Sequence, residues 1–230
     1  MSLLLSLETT AHTFSCALHE NGQLISLVEV EEAQSTASKL APAVESLFQG
    51  SDFRRDQLSG VVVSAGPGSY TGLRIGTATA KGICYALNVP LISVNSLLVM
   101  ARQVIDLNVK FESNDLLCPM LDARRMEVYY MLLNSELKIF KETDSKVLNE
   151  NSFDDLLENR NVYFFGDGSE KFKCIATNSN AKFLDGIKPI ATVLGKLGYQ
   201  KFLMKQFEDL TSYEPFYLKD FLVKKPNLVS

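Results

Sequence analysis

The stretch that decides the fold is Ser64–Gly82, which reads SAGPGSYTGLRIGTATAKG and follows the β-branched run 61–63. A strand that ends in Gly-Pro-Gly must turn sharply, because glycine reaches positive φ and proline fixes φ. Ser69 then lies where it can cap a helix that begins at Tyr70. On that helix Gly72, Gly76 and Ala80 share one small face. Two interpretations stay open here: a face for close packing, or a helix N-terminus that faces phosphate.

The glycines (Gly66, Gly68, Gly72 and Gly76) do not match the common phosphate motifs. No Gly-Lys-Ser/Thr closes a P-loop, and the GxGxxG spacing of a dinucleotide site is absent. Ser69 also lacks the G-x-S-x-G setting of a hydrolase nucleophile, so we interpret it as a helix cap. We therefore predict no catalytic residue in this segment.

Outward from this stretch, the first half of the chain reads as βββαβαβα, an α/β pattern with an antiparallel opening. The Asn-Gly pair at residues 21–22 predicts a hairpin turn between the second and third strands. Pro42 lies inside the first helix and should kink it. The predicted strands are Leu3–Leu7, Thr13–His19, Leu24–Val30, Leu58–Val63 and Pro90–Val94, and the predicted helices are Ser35–Gln49, Tyr70–Leu87 and Ser96–Val104.

A second lobe is predicted after the polar stretch 108–115, so that residues 1–105 and 106–230 form two units. The helix predicted at Ile187–Glu208 could pack back on the first lobe. The tail Tyr213–Leu228 should be extended. The other elements predicted for this half are strands at Leu116–Leu121, Val128–Leu133, Leu137–Lys141 and Asn161–Phe165, and a helix at Phe153–Glu158.

Composition narrows the function classes. The net charge of −4 over 230 residues indicates no large basic surface for nucleic acid. Four scattered cysteines without a CxxC pair, and no signal peptide, favour a cytoplasmic protein without disulfides. The opening apolar run is too short to cross a membrane. His12 and His19 are the only histidines and cannot form an i, i+4 metal clamp, so we expect no metal site.

Polar residues in two turns are candidate site residues. Glu8, Thr9 and Thr10 follow the first strand. Asp122, Arg124 and Glu127 lie between two strands of the second lobe, where a carboxylate and a guanidinium should pair and lock the loop; a ligand or partner contact is the second interpretation. Arg74, near a helix N-terminus, is not favoured there by the helix dipole and should have a specific partner.

Five motifs make the chain resemble the TsaB (YeaZ) family over nearly its whole length. They are Leu4–Thr10, Leu40–Val44, Gly66–Gly76, the pair Asp122–Arg124 and Glu127–Tyr129, and Glu214–Lys219. The resemblance implies an actin-like (ASKHA) α/β fold of two ribonuclease-H-like lobes with mixed sheets flanked by helices.

The resemblance also implies a function, as a non-catalytic subunit for threonylcarbamoyl transfer to adenosine 37 of tRNA. It implies a heterodimer with the catalytic relative TsaD, an assembly with the ATPase TsaE, a homodimer in isolation, and contact with tRNA only through the complex. TsaD carries a metal-binding His-x-x-x-His that two histidines seven residues apart cannot supply.

We expect the partner to bind the two helices Ser35–Gln49 and Tyr70–Leu87, where apolar burial would sustain the pairing. The predicted interface residues are Leu40, Pro42, Val44, Leu47, Phe48, Gly72, Arg74 and Gly76. In actin-type folds a turn like Glu8-Thr9-Thr10 holds nucleotide phosphates, so weak or complex-dependent binding of ATP or ADP stays open, with no resident cofactor. The other interpretation is that Thr9 and Thr10 only satisfy the hydrogen bonds of a polar turn. The alternative function is an ATP-binding phosphotransferase of the sugar-kinase type, with residues 166–168 (Gly-Asp-Gly) as its second phosphate turn.

Overall fold

A computed structural model describes residues 1–11, 13–31 and 36–218. His12, Ser35, Lys219 and the rest of the predicted extended tail therefore lie outside the described residues. In chain order the strands are β1 (Leu3–Glu8), β2 (Phe14–Glu20), β3 (Gln23–Val30), β4 (Leu58–Gly66), β5 (Leu91–Asn95), β6 (Leu116–Asp122), β7 (Glu127–Leu133), β8 (Ile139–Val147), β9 (Val162–Phe165) and β10 (Ala181–Leu184). The helices are α1 (Thr36–Gln49), α2 (Tyr70–Leu87), α3 (Ser96–Asp106), α4 (Asp154–Leu157), α5 (Ser169–Lys173) and α6 (Ala191–Leu203).

The two halves of the chain repeat one sheet topology. The first sheet has the order β3-β2-β1-β4-β5, and the second has β8-β7-β6-β9-β10. In each sheet the first three strands are antiparallel neighbours in a meander, and the last two run parallel to the first. This repeated mixed sheet is the ribonuclease-H-like lobe, and two of them form the actin-like fold. The predicted fold class is confirmed.

Both faces of the first sheet are covered by helices. Because successive residues of a strand point to opposite faces, Leu3, Leu5 and Leu7 of β1 join the core under α1 and α2, whereas Leu4 joins the core under α6. Helix α6 follows the second sheet in the chain, yet it packs on β1, β2, β4 and β5. A Cβ on Gly198 of α6 would lie 2.5 Å from Val62, so glycine permits this close approach.

Helix α3 links the two lobes. Its residues Leu97, Met100 and Val104 pack with apolar residues of the second sheet, while Val99 belongs to the core under α6. The methyl of Met100 fills the space where a Cβ on Gly166 would lie, at 2.1 Å. The lobes therefore share one helix as a common core element.

Several predicted boundaries differ from the structure. The helix predicted at Ile187–Glu208 is wrong at both ends, because Ile190 is extended and the chain leaves the helix after Leu203. The third strand of the second lobe lies at Ile139–Val147, later than predicted. The short elements α5 and β10 were not predicted, since neither is long enough to show a periodic pattern. Among the described helices, none combines the length and apolar character needed to cross a bilayer.

Candidate functional site

The turn after β1 is closed off from solvent. Glu8, Thr9 and Thr10 are 0%, 1% and 3% exposed. The backbone N–H of Ser69 donates to the carbonyl of Thr10 at 2.8 Å, so the turn is tied to the start of α2. The prediction that this turn faces a nucleotide does not fit this arrangement, because its polar groups are buried inside the chain.

The glycines of α2 make room for that turn. A Cβ on Gly72 would lie 1.9 Å from the carbonyl oxygen of Thr9, and a Cβ on Gly76 would lie 2.3 Å from the Thr9 Oγ1. The Thr9 hydroxyl donates to the carbonyl of Gly72 at 2.8 Å. The small face of α2 is thus a packing surface, as one of the two open interpretations held, but it receives this chain's own turn.

The helix cap at Ser69 is confirmed. Its Oγ accepts a hydrogen bond from the N–H of Gly72 at 3.2 Å, and α2 begins at Tyr70 as predicted. At the other end of α2, Asn88 takes the left-handed conformation that commonly stops a helix. The N-terminus of α2 is therefore capped by the Ser69 side chain and packed against Thr9 and Thr10. Groups of this chain thus fill the space beside its first turn.

The buried carboxyl of Glu8 is fully engaged in local hydrogen bonds. Its oxygens accept from the N–H of Thr10 at 2.8 Å, from the Thr10 hydroxyl at 2.5 Å and from the hydroxyl of Ser64. Burial raises the pKa of the Glu8 carboxyl, and the hydrogen bonds from Ser64 and Thr10 oppose that rise in pKa. These contacts fix the turn, so the carboxyl acts as a structural group.

The predicted partner face of α1 is wrong in its residues. Leu40, Val44, Leu47 and Phe48 are buried in the core of the first lobe, where they pack under β1 and β4. Gly72 and Gly76 are buried as well, because Thr9 covers them. Of the eight predicted residues, Pro42 and Arg74 remain exposed. The sequence identified the amphipathic helices correctly but assigned their buried faces to a partner.

The outward faces of α1 and α2 lie side by side, since the two helices contact each other. They are built largely from small residues: Ala37, Ala41, Pro42 and Ser46 on α1, and Thr71, Ala78 and Gly82 on α2. A Cβ on Gly82 would meet no atom within 4 Å. Tyr85, at 83% exposed, stands at the end of this surface, which we call the small-residue face.

The loop at Asp122 is locked by a lysine rather than by Arg124. Lys171 of α5 donates to Asp122 Oδ1 at 2.6 Å, and the backbone N–H of Arg124 donates to the same oxygen at 2.5 Å. The sequence predicted that a carboxylate and a guanidinium pair in this loop. The Asp122 carboxylate instead binds the Lys171 ammonium and the backbone N–H of Arg124, which has φ +73°. The backbone N–H of Glu127 closes the turn on the carbonyl of Arg124 at 3.1 Å.

The second glycine turn, at residues 166–168, packs against this same loop. Asp167 Oδ1 accepts from the N–H of Asp122 at 2.9 Å, and the N–H of Gly168 donates to the carbonyl of Met120 at 3.2 Å. A Cβ on Gly168 would lie 2.8 Å from the carbonyl carbon of Leu121. The glycines at this turn are explained by close contact with β6.

Sequence reasoning missed three long-range contacts, those of His19, Lys81 and Lys171. The His19 ring lies against Gly195 of α6, with Nε2 3.0 Å from the carbonyl of Thr192, and burial lowers the pKa of His19. The ammonium of Lys81 donates to the carbonyls of Thr211 and Tyr213. Each contact joins residues more than 40 positions apart, so no local pattern could indicate it. Among the described residues, no three His, Cys, Asp or Glu side chains converge as a metal site would require.

Comparison with known sequences gives a consistent result. A family model described as TsaD, tRNA N6-adenosine threonylcarbamoyltransferase, matches residues 31–221. The chain is 34% identical over 126 residues to the tRNA threonylcarbamoyladenosine biosynthesis protein TsaB of Bacillus subtilis, an alignment that covers 55% of this chain and 52% of that protein. The protein of the same name in Haemophilus influenzae is 24% identical over 226 residues, covering 94% and 93% of the two chains. The match thus spans about half of the first relative and nearly all of the second.

Solved structures support the fold. YeaZ from Pseudomonas aeruginosa superposes with a TM-score of 0.77 at 21% identity, covering 95% of this chain and all of that one. A second Pseudomonas aeruginosa structure, described as similar to peptidase YeaZ, has a TM-score of 0.81 at 21% identity and the same coverage. At this identity the superpositions establish the arrangement of the two lobes.

Proposed function

The chain belongs to the TsaD family, tRNA N6-adenosine threonylcarbamoyltransferase, as a TsaB/YeaZ member, and from that premise we propose that it is a non-catalytic subunit in threonylcarbamoyladenosine biosynthesis on tRNA. It would act in the cytoplasm, by binding the catalytic relative TsaD and stabilising the state that modifies adenosine 37. The ATPase TsaE would join this pair, and tRNA would be reached through the complex.

The observation that carries the proposal is the burial of the turn after β1. Thr9 fills the space beside Gly72 and Gly76, and the Glu8 carboxyl accepts hydrogen bonds from its own turn and from Ser64. In actin-type folds that bind nucleotide, such a turn presents its backbone N–H groups to phosphate. A turn that uses its donors and acceptors internally supports a scaffold role and weighs against the phosphotransferase alternative.

The histidines support the same proposal. The chain has two, seven residues apart, which cannot form the His-x-x-x-His of TsaD. His19 is buried, and its ring packs on α6 of the first lobe. That ring serves the packing of the first lobe.

We propose that TsaD binds the small-residue face of α1 and α2. Small side chains let a second pair of helices approach closely, and two helices from each partner would form a four-helix bundle. In the absence of TsaD the same face would pair with a second copy of this chain. The exposed residues Pro42, Arg74 and Ala78 would then be contacts, while the buried Leu47 and Phe48 only support the helix from behind.

A single substitution tests this surface. Ala78→Glu places a charge on the exposed face of α2 without disturbing the core. Burying that charge against a partner helix is unfavourable, so we expect binding to TsaD, measured by titration calorimetry, to weaken at least tenfold. The matched control is Gln200→Glu, on the exposed side of α6, which should bind as the wild type does. Equal affinity of the Ala78→Glu variant and the control would refute the assignment.

Titration of the isolated chain with Mg-ATP separates the scaffold from the phosphotransferase. Because the turn after β1 is packed against α2, we expect no heat of binding at millimolar concentrations of nucleotide. Saturable binding in the micromolar range would favour the phosphotransferase, and it would do so whether or not TsaD binds.

A further inference from the structure

Residues 207–217, here called the strap, run back from α6 along the first lobe. They end at the small pocket between Tyr70 and Leu73 of the first lobe and Tyr129 of the second, here called the cleft. We propose that the strap is a latch whose tip, Phe216 and Tyr217, holds this cleft closed in the free chain. This conformational role goes beyond the proposed binding of TsaD and does not depend on it.

The beginning of the strap is anchored on the edge of the first sheet. The N–H of Glu208 donates to the carbonyl of Leu91 at 2.9 Å, forming a bridge with β5. The hydroxyl of Ser93, also on β5, donates to the Glu208 carboxylate at 2.5 Å, and Lys201 of α6 donates to the Ser93 carbonyl at 2.7 Å. The edge of β5 is therefore covered, and the strap leaves it at a fixed position.

The middle of the strap is held by α2. The ammonium of Lys81 donates to the carbonyl of Thr211 at 3.3 Å and to that of Tyr213 at 3.1 Å. Asp209 orders the intervening turn, because its Oδ1 accepts from the N–H of Thr211 at 2.9 Å and of Ser212 at 2.8 Å. Tyr213 packs against the core of the first lobe. The strap thus follows the side of α2 towards its N-terminus.

The tip of the strap contacts the first lobe and lines a pocket that a residue of the second lobe also lines. The N–H of Phe216 donates to the carbonyl of Ala65 at 2.7 Å, at the point where the pairing of β4 with β5 shifts register. The ring of Tyr217 lies 5.0 Å from that of Tyr70 at the start of α2. Phe216 and Tyr217 line a small pocket together with Tyr129, which belongs to β7 of the second lobe. The tip is therefore the part of the strap that lies at the cleft.

The anchoring differs between the two ends in a way that suits a latch. The segment 208–213 is fixed by hydrogen bonds to α2 and β5, and Tyr213 packs against the core of the first lobe. At the tip, by contrast, Phe216 stays 47% exposed and Tyr217 36% exposed. Exposed contacts open at a lower free energy than buried ones. Opening should therefore begin at the tip and uncover Tyr70, Leu73 and Tyr129 while the rest of the strap stays in place.

Amide hydrogen exchange on the full chain tests the tip. In a Tyr217→Ala variant, which removes the ring contact with Tyr70, we expect the Phe216 amide to exchange at least tenfold faster than in the wild type. The conservative Tyr217→Phe variant keeps the ring and should exchange at the wild-type rate. The matched control is Phe207→Ala, whose ring contacts Phe202 at the other end of the strap and should leave the Phe216 amide unchanged.

The cleft needs its own reporter. The chain has no tryptophan, so Tyr129→Trp introduces a single tryptophan into the pocket, which can be excited separately from the remaining tyrosines. In combination with Tyr217→Ala, acrylamide should quench this tryptophan at least twofold more strongly than in Tyr129→Trp alone. Faster exchange at Phe216 with unchanged quenching would show that the tip moves without holding the cleft, and unchanged exchange would show that the ring contact does not hold the tip. Either result overturns the latch.

Discussion

The contact between Thr9 and α2 makes a sharp prediction about three glycines in one helix. Alanine at Gly82 adds a methyl that meets no atom within 4 Å. Because alanine is the better helix former, Gly82→Ala should stabilise the chain by about 0.5–1 kcal/mol. This variant is the internal control, since it has the same chemistry in the same helix.

Alanine at Gly76 or Gly72 should have the opposite effect. At Gly76 the new Cβ would lie 2.3 Å from Thr9 Oγ1, and at Gly72 it would lie 1.9 Å from the Thr9 carbonyl oxygen. Overpacking a tight site costs about 1–3 kcal/mol, and displacing the Thr9 hydroxyl from Gly72 loses a hydrogen bond of about 0.5–1.5 kcal/mol. After the gain in helix propensity, Gly76→Ala should still destabilise the chain by about 0.5–4 kcal/mol. Gly72→Ala should destabilise the chain more, because its new methyl group would meet the backbone carbonyl of Thr9 rather than a side chain.

Urea unfolding of the three variants measures these differences as changes in midpoint at constant slope. In a chain of this size, 1 kcal/mol corresponds to about 2–4 °C in melting temperature, so thermal unfolding gives a second measure. If Gly76→Ala and Gly72→Ala were as stable as Gly82→Ala, Thr9 would not occupy the face of α2. The contact of the turn after β1 with α2, on which the scaffold role depends, would then be refuted.

Three further predictions concern buried and paired groups. Because burial lowers the pKa of His19, the unfolded chain takes up a proton first, and the free energy of unfolding should fall as pH drops below about 6.5. His19→Gln should remove that part of the slope in urea titrations between pH 7 and 5. Burial raises the pKa of the thiols of Cys16 to about 12 and of Cys84 to about 11, so a disulfide reagent should modify the exposed Cys174 rapidly and those two thiols only after unfolding. Equal rates for all cysteines would contradict the burial. Lys171→Met should free the loop at Asp122 and speed exchange of the Arg124 amide, whereas Lys173→Met, beside it on α5, should not.

Much of the first lobe could be predicted from local sequence. Alternating or continuous apolar runs identify β1 to β5, and Ser69 marks the start of α2 because its cap acts within three residues. In the second lobe the sequence identified the short elements α4 and β9 but not α5 and β10, which have five and four residues and show no period. The end of α6 was missed because the residues after Leu203 continue the apolar pattern while the strap turns towards β5.

The candidate site depended on contacts that a single sequence does not show. The small face of α2 indicates close packing, but it cannot identify Thr9, 63 residues from Gly72, as the group that packs there. Likewise the buried face of α1 and a partner surface both appear in sequence as apolar residues at helical spacing. For Asp122, residue spacing suggested Arg124, whereas the fold brings Lys171 from 49 positions away.

The reconstituted modification reaction tests the central claim most directly. The assay contains purified TsaD, TsaE, tRNA and the other substrates of the reaction. It is run with this chain, without it, and with its Glu8→Gln variant, and the threonylcarbamoyladenosine formed in the tRNA is measured. We predict that omission abolishes modification and that Glu8→Gln restores it to the wild-type level, because the buried carboxyl has a structural role and takes no part in the chemistry. Modification at full rate without the chain, or loss of modification by a Glu8→Gln variant that still binds TsaD, would contradict the account.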